Sequence, residues 1–161
     1  MEELFINVLK RSGATIDNKR DTITEILDYE DALRMALDIG AQLEAAEAEG
    51  KGYISVGLNN IRRLGNGSFI LINESPANII NDKLVITTPF KYTSDMAPEL
   101  ALISRLPAKV SPNVSYYSLV KNVLRVLDIG EDIERLRPTK LYYLIKRATE
   151  QIPNDRIFLY I

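Results

Sequence analysis

The sequence predicts one α+β domain, built mainly of helices with a small β-hairpin region. Apolar residues recur at helical spacing near both ends of the chain, and Gly65-Asn66-Gly67 lies between two β-prone runs. Four prolines fall between residues 88 and 114, where long helices are therefore disfavoured. With 161 residues, 46% of them hydrophobic, the chain has the size and the apolar content of one domain with a sizeable core.

Two helices are predicted in the first third of the chain. Residues 2–11 are amphipathic, and a longer helix begins around Asp28, whose charge suits the positive end of the helix dipole. The second helix is expected to end at Gly50. Residues 14–22 are polar and are predicted to form a loop.

The middle of the chain has strand character. Residues 61–72 predict a β-hairpin around the glycine-rich triplet, and a second short β pair is expected between 78–80 and 83–86. The proline-rich segment 88–114 is predicted to be irregular and packed.

Two further helices are predicted towards the end of the sequence. Residues 115–127 carry a broad apolar face, so we expect the most buried helix there, ending at Gly130. The last helix follows Pro138, and the hydroxyl of Thr139 is expected to cap it.

Composition excludes several classes of chemistry. The chain contains no cysteine, which excludes disulfides and thiolate metal sites. It also contains no histidine, which is the commonest general base near neutral pH. Residues 1–50 hold 5 basic and 12 acidic residues, which leaves 15 basic and 10 acidic residues in 51–161. The favoured interpretation of a net charge of −7 followed by +5 is solvated helix faces, and the alternative is a domain with one acidic and one basic face. Acidic residues at the start, in place of a signal peptide, predict an intracellular, cytoplasmic protein.

Two strings in the middle of the chain resemble the protein kinase family. Residues 53–61 fit the kinase catalytic loop H-R-D-L-K-x-x-N-I in length, and Asn60 with the following isoleucine agrees in identity. Ala97, Pro98 and Glu99 match the A-P-E motif that closes the kinase activation segment. This is the most literal agreement in the chain.

Two later strings extend the resemblance to the kinase C-terminal lobe (C-lobe). Residues 115–120 are similar to the D-x-W-S-x-G start of the buried central helix, with an aromatic residue kept at Tyr117 and the serine at Ser118. Pro153 and Arg156 are similar to the P-x-x-R segment whose arginine pairs with the A-P-E glutamate in kinases. The resemblance therefore implies a single C-lobe-like domain over 1–161, in which Arg156 pairs with Glu99.

The resemblance also implies that the chemistry of a kinase is missing. Ser55 stands at the position of the catalytic aspartate and Gly57 at that of the lysine, while Asn73 and Glu74 replace the metal-binding D-F-G start. Asn60 alone cannot hold a metal, and even with an oxygen from Asn73 and a displaced carboxylate from Glu74 the set makes a poor magnesium site. Residues 1–24, interpreted as a short helix and loop, cannot form the N-terminal lobe (N-lobe) that covers the nucleotide.

The favoured function is accordingly a non-catalytic pseudokinase-like scaffold that binds protein partners, without ATP, metal or other cofactor. The alternative is one half of a split or degenerate kinase completed by another chain. A third interpretation is nucleic-acid binding through Arg62-Arg63 and the basic residues of 121–147, which a pI near 5.3 disfavours. No membrane partner is expected, and self-association stays open. A reduced kinase-like protein also suits a large virus, including a place in the virion.

Overall fold

The computed structural model describes residues 1–129 and 132–161, and within them the α+β fold is confirmed. The helices are α1 (Glu2–Arg11), α2 (Tyr29–Ala48), α3 (Val114–Leu127) and α4 (Lys140–Ala148). The strands are β1 (Arg20–Thr22), β2 (Lys51–Gly52), β3 (Ile61–Leu64), β4 (Phe69–Leu71), β5 (Ala77–Ile80), β6 (Lys83–Ile86) and β7 (Ala108–Val110). None of the described helices is long and apolar enough to cross a membrane. The predicted helix end at Gly130 lies outside the described residues.

Sheet A consists of β1, β3 and β4 in that order, all antiparallel. The predicted hairpin is confirmed, with Gly67 at a φ of 87° in its turn. The predicted loop 14–22 is wrong in part, because Arg20–Thr22 pair with β3. This strand is polar and three residues long, so the local pattern does not predict it. Tertiary contacts hold the strand instead, among them the carboxylate of Asp17, which accepts a hydrogen bond from the Gly65 amide at 3.0 Å.

Helix α2 closes the open edge of β4 with two side chains. The buried amide of Gln42 donates to the Phe69 carbonyl and accepts from the Leu71 amide, both at 2.9 Å. Asp38 accepts from the Phe69 amide at 3.0 Å. These side chains replace the backbone partners of a further strand, and they fix α2 against sheet A.

Sheet B consists of β2, β5, β6 and β7 in that order, also antiparallel. The predicted β5–β6 hairpin is confirmed. The expectation that 88–114 is irregular throughout is wrong at Ala108–Val110, which pair with β6. Two- and three-residue strands such as β2 and β7 are too short to show an apolar alternation, and pairing with a neighbour defines them.

Helix α3 is the central element of the protein, as predicted. Eleven of its 14 residues are buried. One side of α3 packs in the main core with α1, α2, α4 and sheet A, and the other packs in a second core under sheet B. The predicted cap of α4 is also present, since the Tyr142 amide donates to the Thr139 hydroxyl at 3.3 Å. The two cores therefore meet at α3, which holds the elements around the candidate site.

Candidate functional site

The loop between β2 and β3 is fixed by two side chains of α3. The Val56 amide donates to the hydroxyl of Ser118 at 2.8 Å, and the amide of Asn122 donates to the Val56 carbonyl at 2.5 Å. Both backbone groups of a buried residue are thereby satisfied. Ser55 and Gly57, on either side of Val56, are half-buried and line a cavity. The two positions that the resemblance aligns with kinase catalysis are thus held in place by the central helix.

Glu74 ties two of the predicted positions together. Its Oε1 accepts a hydrogen bond from the Asn60 side chain at 2.8 Å and another from the Gly57 amide at 3.2 Å. Burial, together with the nearby Glu74 carboxylate, raises the pKa of Tyr53 to about 12, so this phenol stays neutral. Asn73 is exposed, has a φ of 57°, and lines a neighbouring groove. The structure therefore brings Glu74, Asn60 and Gly57 together, and it places Asn73 beside them.

Asp95 is a residue of this cavity that sequence reasoning missed. Its Oδ2 accepts from the Asn122 amide at 3.2 Å and from the Ser118 hydroxyl at 3.5 Å, and its Oδ1 accepts from the Thr93 hydroxyl. One sequence signal was present, because Ser118 and Asn122 are spaced i, i+4 on a helix that is otherwise strongly apolar. Polar residues at that spacing on a buried helix predict a buried polar partner.

Asn122 leaves one atom without a partner. Its Nδ2 donates to acceptors on Val56, Asp95 and Ser118, and this sets the orientation of the amide. Its Oδ1 is buried and has no hydrogen-bond partner among the described residues. An unsatisfied buried polar atom lowers the stability of the fold by about 1–3 kcal/mol. The hydrogen bonds of Nδ2 therefore hold the amide in an orientation that leaves Oδ1 unpaired.

The cavity has a volume of about 1050 Å³ and mixed charge. Carboxylates come from Glu74 and Asp95, and cations come from Lys121 and Arg125 on α3. Within the described residues, no three His, Cys, Asp or Glu side chains lie close enough to hold a metal ion. Since both carboxylates already accept hydrogen bonds from nearby protein groups, the arrangement suits polar recognition and structural bracing.

A second predicted group lies near the middle of the 88–114 segment, where Glu99 binds Arg156 as predicted. The guanidinium donates from Nη1 to Oε2 at 2.6 Å and from Nη2 to Oε1 at 2.8 Å, which is a bidentate pair. The arginine side chain is 1% exposed and the glutamate 20%. The guanidinium also lies over the Tyr117 ring, 4.9 Å from its centroid. Ala97 is fully buried, and Pro98 begins the short helix that carries Glu99.

Other groups of Arg156 complete this anchor. It donates to the Asn113 side chain at 3.2 Å and to the carbonyls of Glu150 and Gln151 at 2.6 and 3.2 Å. The Asn113 amide in turn donates to the Pro153 carbonyl at 2.6 Å. One arginine therefore joins the proline-rich segment, the start of α3 and the chain that follows α4.

The arginines proposed for nucleic-acid binding are engaged within the protein. Arg63 pairs with Asp31 at 2.9 Å and lies over the Phe69 ring, and Arg62 donates to the Asn59 carbonyl at 2.6 Å. These contacts do not favour a role in contacting phosphates.

No protein-family model matches the chain, and no curated protein matches it either. The geometry above is therefore the basis of the functional argument.

Proposed function

We propose that this chain is a non-catalytic, kinase C-lobe-like module that binds a protein partner. The observation that carries the proposal is a contrast between two groups of residues. Glu99, Arg156 and Tyr117, which the resemblance aligns with structural parts of the lobe, form a network around the buried Arg156 side chain. Ser55 and Gly57, aligned with the catalytic positions, supply neither a proton acceptor nor a cation.

The hydrogen bonds that Glu74 accepts support the same proposal. This carboxylate is the nearest candidate for a displaced metal ligand, and its Oε1 already accepts hydrogen bonds from Asn60 and from the Gly57 amide. Coordination of a magnesium ion by that oxygen would compete with both contacts. The role that we assign to Glu74 is therefore to hold the β2–β3 loop against the segment that follows β4, in an intracellular scaffold that needs neither nucleotide nor metal.

A thermal melting experiment on the full chain tests the absence of nucleotide binding. A ligand that binds only the folded state raises the melting temperature by mass action, so ATP with magnesium at millimolar concentration should leave it unchanged. The same measurement on a Glu74→Gln variant distinguishes binding in the cavity from unspecific stabilisation. A saturable rise that disappears in Glu74→Gln would reject the proposal and favour the split-kinase alternative.

A second experiment tests partner binding itself. We expect the tagged chain, purified from its native source, to retain a protein in fixed stoichiometry after washing at physiological salt, because high salt would screen contacts between charges. A chain that elutes alone at every salt concentration, and that also binds no added candidate, would contradict a scaffold role.

A further inference from the structure

Sheet B presents a row of directly paired residues on one side. Lys51 lies opposite Asn78, Asn78 opposite Val85, and Val85 opposite Lys109. Side chains of directly paired residues point to the same side of a sheet, and the pair of Ile80 with Lys83 is on this side too. We name this side the outer face; it consists of Lys51, Asn78, Ile80, Lys83, Val85 and Lys109. The opposite side packs on the second core.

The outer face is basic. Lys83 and Lys109 are exposed, and Lys51 donates to the Asn78 side chain at 2.5 Å. Lys91 adds a further exposed cation on the adjoining segment. The nearest acid along the strands is Asp82 in the β5–β6 turn, so positive charge predominates.

A groove of about 620 Å³ with a mixed polar and apolar lining opens at this face. Ile80, which is 53% exposed, and Val85 line it. Residues 73–76 and residues 87–91, with Phe90 among them, also line the groove, and the Asn60 amide binds the carboxylate of Glu74 there. On the outer face, Lys83 pairs with Ile80 and Lys109 pairs with Val85. The apolar side chains of the groove therefore lie next to exposed lysines.

We propose that the outer face and its groove bind an extended, acidic segment of a partner protein, with an aliphatic side chain seated in the groove. Charge complementarity selects an acidic partner, since carboxylates on either side of the anchor would meet Lys83 and Lys109. The groove selects an apolar anchor, which a nucleic-acid backbone lacks. Two copies of this face would bring like charges together, which disfavours symmetric self-association. This inference rests on the proposed function and names the chemistry of its partner.

Fluorescence anisotropy with the full chain tests the inference. The probe is a fluorescein-labelled peptide, Asp-Glu-Asp-Ile-Asp-Glu-Asp, and the reference peptides replace Ile by Ser or every acid by Lys. We expect saturable binding of the first peptide and weaker or no binding of the other two. Lys83→Glu with Lys109→Glu should weaken binding by about tenfold or more, and Ile80→Ser should weaken it as well.

Lys10→Glu with Lys19→Glu is the matched control, because it makes the same change of net charge at exposed lysines elsewhere. This variant should bind as the parent chain does, and all variants should keep its melting temperature. Absence of saturable binding, or equal losses in the two charge-reversal variants, would overturn the inference.

Two alternative occupants have distinct outcomes. Equal affinity for an oligothymidylate of the same charge, lost with the same lysines, would reassign the face to nucleic acid. Self-association that disappears in Lys83→Glu with Lys109→Glu would reassign it to a second copy of the chain. Each result overturns the peptide inference. Glu74-dependent ATP binding would instead overturn the proposed function and leave the peptide measurement as it is.

Discussion

The guanidinium of Arg156 binds both carboxylate oxygens of Glu99, although the two residues lie 57 positions apart in the chain. The segment 88–114 contains few regular backbone hydrogen bonds of its own, so it depends on long-range anchors. A planar guanidinium supplies direction as well as attraction, and here it also lies on the ring of Tyr117.

Replacement of either partner by alanine should therefore be costly. We expect Arg156→Ala and Glu99→Ala each to lower the free energy of unfolding by about 3–5 kcal/mol, because each leaves a charge buried and unpaired. The double variant should lose less than the sum of the single losses. Arg156→Lys should rescue only part of the loss, because lysine cannot present the fork. Denaturant unfolding of all four variants measures these differences.

The pair of Lys19 with Asp21 is a suitable control for that cycle. Its side chains are 67% and 60% exposed, so alanine at either position should change stability very little. Additive losses at positions 99 and 156, or losses as small as those of the control, would show that the buried pair is not an anchor.

The buried amide of Asn122 leads to a second prediction. Asn122→Asp removes the donor to the Val56 carbonyl and places a second carboxyl group beside Asp95, whose Oδ2 lies 3.2 Å from the present amide nitrogen. We expect a larger loss of stability at pH 7 than for Asn122→Ala, because two like charges share a buried position. The loss should shrink as pH is lowered from 7 to 4, because protonation of the introduced aspartate removes the repulsion between the two carboxylates.

Thermal melting of both variants and the parent chain across that pH range measures the effect. A loss for Asn122→Asp that equals that of Asn122→Ala at every pH would show that Asp95 and residue 122 do not interact electrostatically.

Asp38 gives a third prediction, which concerns pH dependence. Burial raises the pKa of Asp38 above its ordinary value of 3.8, and this effect exceeds the opposing influences of the Phe69 amide and Arg34. The folded state thus binds this proton more tightly than the unfolded state. The contribution of Asp38 to stability is then fully present below about pH 4 and is lost as pH rises through the folded pKa.

Asp38→Asn should therefore be at least as stable as the parent chain at pH 7, and this advantage should vanish towards pH 4. The asparagine oxygen can still accept from the Phe69 amide, whereas Asp38→Ala leaves that amide unpaired and should lose about 1–3 kcal/mol. Chemical denaturation at pH 4 and pH 7 distinguishes the variants. If the stability of the parent chain relative to Asp38→Asn increased as pH rises, the assigned direction of the Asp38 pKa shift would be wrong.

The contact between Gly40 and Phe158 provides a fourth prediction. A Cβ on Gly40 would overlap the Phe158 ring, which also stacks on Tyr116 at a centroid distance of 4.7 Å. Gly40→Ala should therefore destabilise the parent chain. In a Phe158→Ala background the same change should stabilise by about 0.5–1 kcal/mol, because alanine then acts only through its higher helix propensity.

Melting of the two single variants and the double variant measures this reversal of sign. A Gly40→Ala effect of the same sign and size in both backgrounds would mean that Phe158 does not occupy the space beside Gly40.

Elements with a strong local pattern could be predicted from the sequence. The apolar face of α3 and the turn triplet beginning at Gly65 are examples, since each depends on residues close together in the chain. The pairing of Glu99 with Arg156 followed from the family resemblance and from no local rule. Strands β1, β2 and β7 were missed, because they are two or three residues long and pair through contacts that form only in the folded chain.

The candidate site was predictable only in part, for a related reason. Ser55, Gly57, Asn60 and Glu74 came from alignment with a motif, and the structure brings the last three into contact. Asp95 belongs to no recognised motif, and its local sequence does not distinguish it from an aspartate in an exposed turn. Its role depends on the polar side chains of α3, which reach it from 23 and 27 positions further along the chain.

Gln42 has a consequence for how the protein can assemble. A strand edge normally offers its free amides and carbonyls to any other extended chain, which is the usual route to amyloid-like growth. At β4 these groups already bind Gln42 and Asp38. Sheet A therefore cannot be elongated from that side, and polymerisation by strand addition would have to start elsewhere. Gln42→Leu would remove two of these three hydrogen bonds, so the substitution should shorten the lag time of fibril formation under mildly denaturing conditions.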